Sequence, residues 1–326
     1  MDIDEIRTFL AIAELGGFTR AAQRLHRSQP AISRRIDLLE QDLGAPLLER
    51  LRGRVRLTEA GRAFLPHAEA ALASLRDGCD AVRGLQVGME GSISLALVGT
   101  LADTHVVEAL RQFAAQSTNV RLALRTASSR EVTDLVRRGE ATLGLRYYGC
   151  DRPELVSLDA GGETMLVVAA RGHRLAGRRI REVRLLAGER WISFPSTPGE
   201  RGSAQTLVSQ LIRAGLEDPD VTLIDSLTAQ KRLAQAGFGL ALAPESSVRE
   251  ELREGMLVAL DIPAMRTTIP IVAIHRRNGY LSRAAKALLA LLTTAGAVRQ
   301  RRKTPSSSRP RAPPFPPPRN AKRNPP

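Results

Sequence analysis

Cysteine is scarce in this chain, at two residues in 326, which excludes a disulfide-stapled secreted scaffold. Cys79 and Cys150 form no C-x-x-C pair and no metal-ligand spacing, so a reducing compartment fits. The histidines are also few. His26, His67, His105, His173 and His275 are scattered without HxxxH or HxxE spacing, so neither metal nor cofactor is expected. No apolar run is long enough to span a bilayer, and Asp2, Asp4, Glu5 and Arg7 interrupt the start where a secretory segment would need apolar residues. A cytoplasmic protein is expected. Catalytic signatures are missing too. There is no G-x-S-x-G and no Walker loop, and Gly237-Phe238-Gly239 lacks the third glycine of a dinucleotide fingerprint. Triads need not be sequential, so this argues against an enzyme without excluding one.

What is present starts with charge. The formal balance is +14, and nine of the basic residues lie beyond Val298 with no acid among them. The high pI is therefore largely a property of the tail, which is rich in Pro, Ser and Arg. Such a segment buries too little to fold alone, and 298–326 is expected to be a disordered basic Pro-rich tail. Aromatics are few at 3%, but a hydrophobic content of 43% suffices for ordinary cores, and the length suits two or three domains.

The richest segment runs from Phe18 to Gly61. Two short helical patterns sit back to back around a break at His26–Ser28. Ser28 can cap the second, and Pro30 sits inside the first turn, where its missing N–H costs nothing. Ile32, Ile36, Leu39 and Leu43 then share one face, leaving Gln29, Pro30, Ser33, Arg34 and Asp37 outward. Gln and Arg can form bidentate contacts to base edges, and Ser reaches base or phosphate. After Gly44, Arg50, Arg52, Arg54 and Arg56 alternate around Gly53, as a two-stranded wing resting on phosphates would. By spacing alone, a small helical bundle with a solvated basic face also fits.

The residues themselves carry a resemblance. Ala21, Ala22, Leu25, Ser28, Gln29, Pro30, Ala31, Ser33, Ile36, Leu39, Glu40, Leu43, Gly44, Arg50, Leu57, Thr58, Ala60 and Gly61 match, at fixed spacing, the pattern of one family. The segment resembles the N-terminal winged helix-turn-helix of LysR-type transcriptional regulators. Gly17 replaces the usual Ser cap and Leu48 the usual Phe, both tolerable changes. The resemblance implies double-stranded DNA as a partner, with Ser28, Gln29, Pro30, Ser33, Arg34, Arg50 and Arg54 contacting it.

A second stripe follows Thr58: Phe64, Ala68, Ala71, Leu75, Cys79, Val82 and Leu85. Such a helix must bury that face, either on its own domain or elsewhere. The resemblance favours a linker helix over 59–88 that pairs with a second copy through Phe64, Leu75 and Val82. From Gly91 strand and helix patterns alternate, and the continuous apolar strands predict parallel α/β sheets covered on both faces. This part is similar to the family's effector domain, which has the two-lobed fold of periplasmic solute-binding proteins. The implied layout is α/β after an all-α winged helix-turn-helix. The DNA-binding domain is 1–58. The effector domain is 89–297, with lobe I over 89–161 and 267–297 and lobe II over 162–266.

Ligands in such sheets bind at strand ends and helix starts. The candidates are Thr100, Ser128, Ser129, Arg146, Ser226 and Thr228, a set suited to a carboxylate effector. Each hydroxyl can equally be a plain helix cap, and Arg146 an ordinary ion-pair or surface residue. The expected function is a regulator that binds specific DNA sequences as a homo-oligomer, with a dimer of dimers implied by the resemblance, and is switched by a small molecule. The alternative is a cytoplasmic solute-binding or enzymatic α/β protein with an incidental basic bundle. A ligand-independent architectural DNA binder using the tail is a third reading.

Overall fold

The computed structural model describes residues 1–51, 54–83, 92–195, 207–216 and 218–303, with side chains as far as residue 294. The chain opens with α1 (Ile3–Leu15), capped by a reciprocal pair: the Glu5 N–H donates to Asp2 at 2.7 Å and the Asp2 N–H to Glu5 at 2.8 Å. Then come α2 (Phe18–Arg24), α3 (Gln29–Leu43) and an antiparallel hairpin of β1 (Leu48–Leu51) and β2 (Arg54–Leu57). Phe9, Ile12, Ala21, Ile32, Ile36 and Leu39 are fully buried between the helices. Burying each large aliphatic or aromatic side chain contributes roughly 1.5–3 kcal/mol before entropy is counted.

Helix α4 (Glu59–Arg83) runs through Pro66. Its first turns complete the N-terminal core: Phe64 packs on Phe9 with ring centroids 5.3 Å apart, and Ala68 is buried. The chain joins hairpin to helix very tightly. A Cβ on Gly61 would stand 2.1 Å from the Leu47 carbonyl oxygen, so only glycine fits.

Beyond α4 the described residues form a nine-stranded sheet in the order β4-β3-β5-β11-β6-β9-β7-β8, with β10 paired to β6. One half comprises β3 (Ser92–Leu97), α5 (Val106–Gln116), β4 (Arg121–Thr126), α6 (Ser129–Arg137) and β5 (Leu143–Tyr147). Long β6 (Leu155–Ala170) carries the chain into the second half. That half holds β7 (Trp191–Ser193), α7 (Leu207–Arg213), β8 (Val221–Leu223), α8 (Leu227–Gln235), β9 (Leu240–Pro244), α9 (Arg249–Arg253) and β10 (Leu257–Leu260). Strand β11 (Thr267–Arg276) returns to the first, and α10 (Arg283–Lys303) packs on it.

Each half, or lobe, has its own core. Phe113, Leu143, Leu145 and Leu288 anchor lobe I, and Trp191, Leu186, Leu211 and Leu240 anchor lobe II. Strands β6 and β11 run through both lobes as an antiparallel pair, with a register shift between Pro270 and Val272.

Three expectations need correction. The sheet is mixed, not parallel: β3, β4 and β5 pair in parallel, as do β7, β8 and β9, but β6, β10 and β11 are antiparallel to their neighbours. The chain returns through the sheet's centre, and its apolar runs do not encode that direction. Strand β4 is an edge with mostly exposed residues, so it is not covered on both faces. The segment read as disordered from Val298 is helical as far as Lys303; residues 304–326 lie outside the described residues. Among the described residues no helix is long and apolar enough to cross a membrane.

Candidate functional site

Two surfaces carry polar chemistry, and the first is built on α3. The Ser28 hydroxyl accepts the Ala31 N–H at 3.4 Å, and Pro30 lies in the first turn. Ile32, Ile36 and Leu39 turn into the core, which leaves Ser28, Gln29, Pro30 and Arg34 exposed and Ser33 half-buried. These five share the start of one helix. Thr19 of α2 donates to the Gln29 amide oxygen at 3.4 Å.

The hairpin contributes Arg50, which folds back onto the helix. Its guanidinium donates to the Ser33 hydroxyl at 3.0 Å, approaches Asp37 at 3.7 Å and lies 4.3 Å over the Phe18 ring. Arg54 is exposed at the start of β2, while Arg52 and Gly53 lie outside the described residues. The sequence reading missed the support for the hairpin. The Glu40 carboxylate accepts the N–H groups of Leu47 and Leu48 at 2.7 and 3.0 Å, which pins the hairpin to α3. Thr58 adds a bond to the Pro46 carbonyl at 2.6 Å. Glu40, Thr58 and Gly61 all stand in the matched pattern, but their purpose shows only in three dimensions.

The stripe on α4 divides. Phe64, expected at an interface between copies, is half-buried in the N-terminal core against Phe9. Ala68 is buried there too, because the first turns of α4 have to close that core. Ala71, Leu75, Cys79 and Val82 form an exposed face, with Leu75 47% and Val82 63% accessible. Leu85 lies outside the described residues.

The second surface lies at the strand ends between the lobes. After β3, a short 3₁₀ turn (Gly99–Asp103) carries Thr100, whose hydroxyl is 2.9 Å from the Tyr147 hydroxyl at the end of β5. Burial pushes the Tyr147 phenol upward, the Thr100 bond opposes this, and the Glu163 and Asp103 carboxylates add to the rise. The Tyr147 hydroxyl is therefore neutral at ordinary pH.

Ser128 and Glu131 cap α6 reciprocally, at 3.3 and 2.9 Å. The Ser129 carbonyl accepts the Thr133 hydroxyl at 2.9 Å. Arg146 donates to that same Thr133 hydroxyl and, through Nε, to the Tyr147 carbonyl at 3.1 Å. Arg146 is only 5% exposed, and among the described residues no carboxylate lies within ion-pair distance of it. A buried guanidinium held by neutral acceptors alone is costly, and an anion would relieve it. Thus Ser128, Ser129 and Arg146 meet around α6, and Thr100 joins Tyr147.

Ser226 and Thr228 belong to lobe II. Ser226 caps α8, accepting the Ala229 N–H at 3.3 Å, and Thr228 is exposed two residues on. Lobe II also supplies residues that sequence reasoning did not single out. Buried Glu163, 2% exposed, accepts the Ser246 N–H at 3.1 Å, and the buried Ser246 and Ser247 hydroxyls have no partner among the described residues. Ser246 and Ser247 follow the apolar run Leu240–Pro244, and nothing in their spacing marks them as buried.

Comparison with known proteins identifies both parts of the chain. Residues 3–62 match the family model for the bacterial regulatory helix-turn-helix protein, lysR family, and residues 86–297 that for the LysR substrate binding domain. The HTH-type transcriptional regulator BudR of Raoultella terrigena is 31% identical over 250 residues, covering 76% of this chain and 85% of that protein. The RuBisCO operon transcriptional regulator of Allochromatium vinosum is 27% identical over 290 residues, covering 88% and 94%. The crystal structure of CbnR, a LysR family transcriptional regulator, superposes with a TM-score of 0.60 at 25% identity, covering 91% of this chain and 99% of that one. A structure of full-length CbnR complexed with its target DNA gives 0.59, also at 25% identity, covering 90% and 100%. With a capped helix and wing at one end and a two-lobed ligand-binding fold at the other, the chain belongs to the LysR family of transcriptional regulators, proteins that bind DNA and small-molecule effectors.

Proposed function

We propose that α3 enters the major groove with Gln29, Ser33 and Arg34 facing bases or flanking phosphates, and that the start of the helix, with Ser28 and Pro30, lies against the backbone. Arg50 and Arg54 rest on phosphate. The observation that supports this most is the exposed start of a helix anchored in the core by Ile32, Ile36 and Leu39, beside a basic hairpin. The exposed face of α4 around Leu75 and Val82 pairs with a second copy, and two such pairs assemble as a dimer of dimers. The protein works in the cytoplasm, without a cofactor and without catalysing a reaction.

The effector is a small carboxylate held between the lobes by Thr100, Ser128, Ser129 and Arg146 from one side and Ser226 and Thr228 from the other. Buried Arg146, with no acidic partner among the described residues, carries this reading. Binding favours one arrangement of the subunits and so alters the contacts with DNA. A thermal-shift screen of small mono- and dicarboxylates, with neutral amides of the same shape as controls, tests it. A carboxylate at a hundred times its Kd stabilises the protein by about 2.7 kcal/mol. The Arg146→Ala chain should lose that response and keep its DNA affinity. Stabilisation by the neutral set alone would overturn the carboxylate assignment.

A further inference from the structure

Helix α4 has a second face, which is polar and engages the same chain. Glu69, Ala73 and Asp77 are spaced four residues apart and so lie in one row along it. All three contact lobe I. The Glu69 carboxylate, 5% exposed, bonds Arg137 and approaches the Arg138 Nε at 3.4 Å. Arg138 also reaches Glu14 of α1 at 3.2 Å. One turn along, Ala73 lies under Gly139, where a Cβ would come within 3.0 Å of the Ala73 Cβ, and Gly139 has φ +67°. Another turn on, Asp77 takes the Arg276 guanidinium at 2.6 Å and the Tyr280 N–H at 3.1 Å. Arg76 donates to the Arg138 carbonyl at 2.6 Å.

These pairs differ from ordinary surface pairs. Exposed ion pairs contribute little, because water and salt screen them. Here Asp77 and Arg276 are both largely covered, and Glu69 is buried. Removing one partner would leave the other charge covered and uncompensated, a much larger penalty. The glycine contact lets backbone and helix approach closely enough for both pairs to form together. The lobe I partners lie at the end of α6 and the end of β11, elements fixed in the lobe I cores. Residues 162–266 supply none of these contacts.

We propose that Glu69, Asp77, Arg137, Arg138 and Arg276 are positioning residues that lock the DNA-reading domain and its linker helix to lobe I of the same chain. This holds α4 and the winged domain against lobe I in one arrangement, and lobe II takes no part in the lock. The direction in which α3 points is set by this lock as well as by the pairing of copies. Variants in it should change how two DNA half-sites are read together, while leaving each single half-site unaffected.

The test uses the full chain and a duplex that the wild-type chain selects from a random pool. Affinity is measured for that duplex, for a version with the half-sites moved apart by half a helical turn, and for one half-site alone. Wild type should prefer the selected spacing at least tenfold. Asp77→Arg and Arg276→Asp should each reduce that preference to within about threefold, with single-half-site affinity unchanged. The double swap D77R/R276D should restore it, because the pair re-forms with its charges exchanged. Light scattering on the same samples separates a lost lock from lost assembly. If the reversals unfold the chain, D77N and R276Q should show the same loss more weakly. Retained spacing preference in the folded single variants, or no recovery in the double swap, would overturn the proposal.

Discussion

The Arg50 guanidinium lies over the Phe18 ring, 4.3 Å from its centre, and the hairpin is thereby tied to the helix before the reading helix. Arg50 and Arg54 therefore do different work although they stand four residues apart on the same hairpin. Arg50→Ala should lower the stability of the free protein by about 0.5–1 kcal/mol, the range for an exposed cation–ring contact, and should also weaken DNA binding. Arg54→Ala should leave the melting temperature unchanged. It should weaken all DNA sequences alike and lower the slope of log affinity against log salt by about one unit. Equal melting temperatures for the two variants would contradict the tethering role of Arg50.

Gln29 is exposed at the first turn of α3 and is steadied by Thr19. Gln29→Ala should cost about 1–3 kcal/mol on the selected duplex and relax preference at one base pair per half-site. A binding-site selection repeated with the variant reads this directly. An unchanged selected sequence for both Gln29→Ala and Ser33→Ala would mean that another part of the domain reads the bases.

Leu75 is the largest side chain at the middle of the open face of α4. Leu75→Glu should place an unpaired carboxylate between two helices, which is costly to bury. Light scattering should then report smaller assemblies, and affinity for two-half-site DNA should fall. Phe64→Ala should behave differently. It empties space in the N-terminal core beside Phe9, so it should lower stability, by less than the roughly 3–5 kcal/mol lost with a wholly buried Phe. A chain that kept its mass with Glu at position 75 would rule this face out as the main contact.

Acid should loosen the start of α6. The Ser128 backbone N–H, then its hydroxyl, hold the Glu131 carboxyl below its ordinary value of 4.5, and the Arg125 charge adds to this against slight burial. A carboxyl with a lowered folded-state pKa stabilises fully above its unfolded value. That contribution disappears as pH falls through the lowered one. Ser128→Ala should cost about 1 kcal/mol at neutral pH. Melting curves between about pH 6 and about pH 3 should converge for wild type and Glu131→Ala. A gap that stays constant across that range would show that the cap carries no titrating component.

The N-terminal sixty residues were legible because their signals are local. A cap, a helix-compatible proline and a row of isoleucines and leucines each act within a few turns, and Ser28, Pro30, Ile32 and Ile36 sit as spacing predicts. The strands of the second part were legible one by one but not in their directions. An apolar run such as IPIVAIH looks the same whether its neighbours run with it or against it. The first half of β6 and all of β10 do not stand out: LVSL runs into Asp159, Gly161 and Gly162, which read as a turn, and LVAL is only four residues long. Phe64 was misassigned because a stripe shows which face is apolar, not what covers it. Glu69 and Asp77 read as solvated helix charges, and only the approach of Arg137 and Arg276, far along the chain, gives them partners.

The twin strands shared by the lobes also fix the mechanics of the cleft. Two loops would let the lobes swing freely, whereas a hydrogen-bonded ribbon resists stretching and yields chiefly by twisting. Its weak point is the break in register beside Pro270, which has no N–H to give to the ladder. Opening and closing should therefore resemble the wringing of a stiff strap about that point more than the motion of a door, and small angles there would become large arcs at the far rim of lobe II.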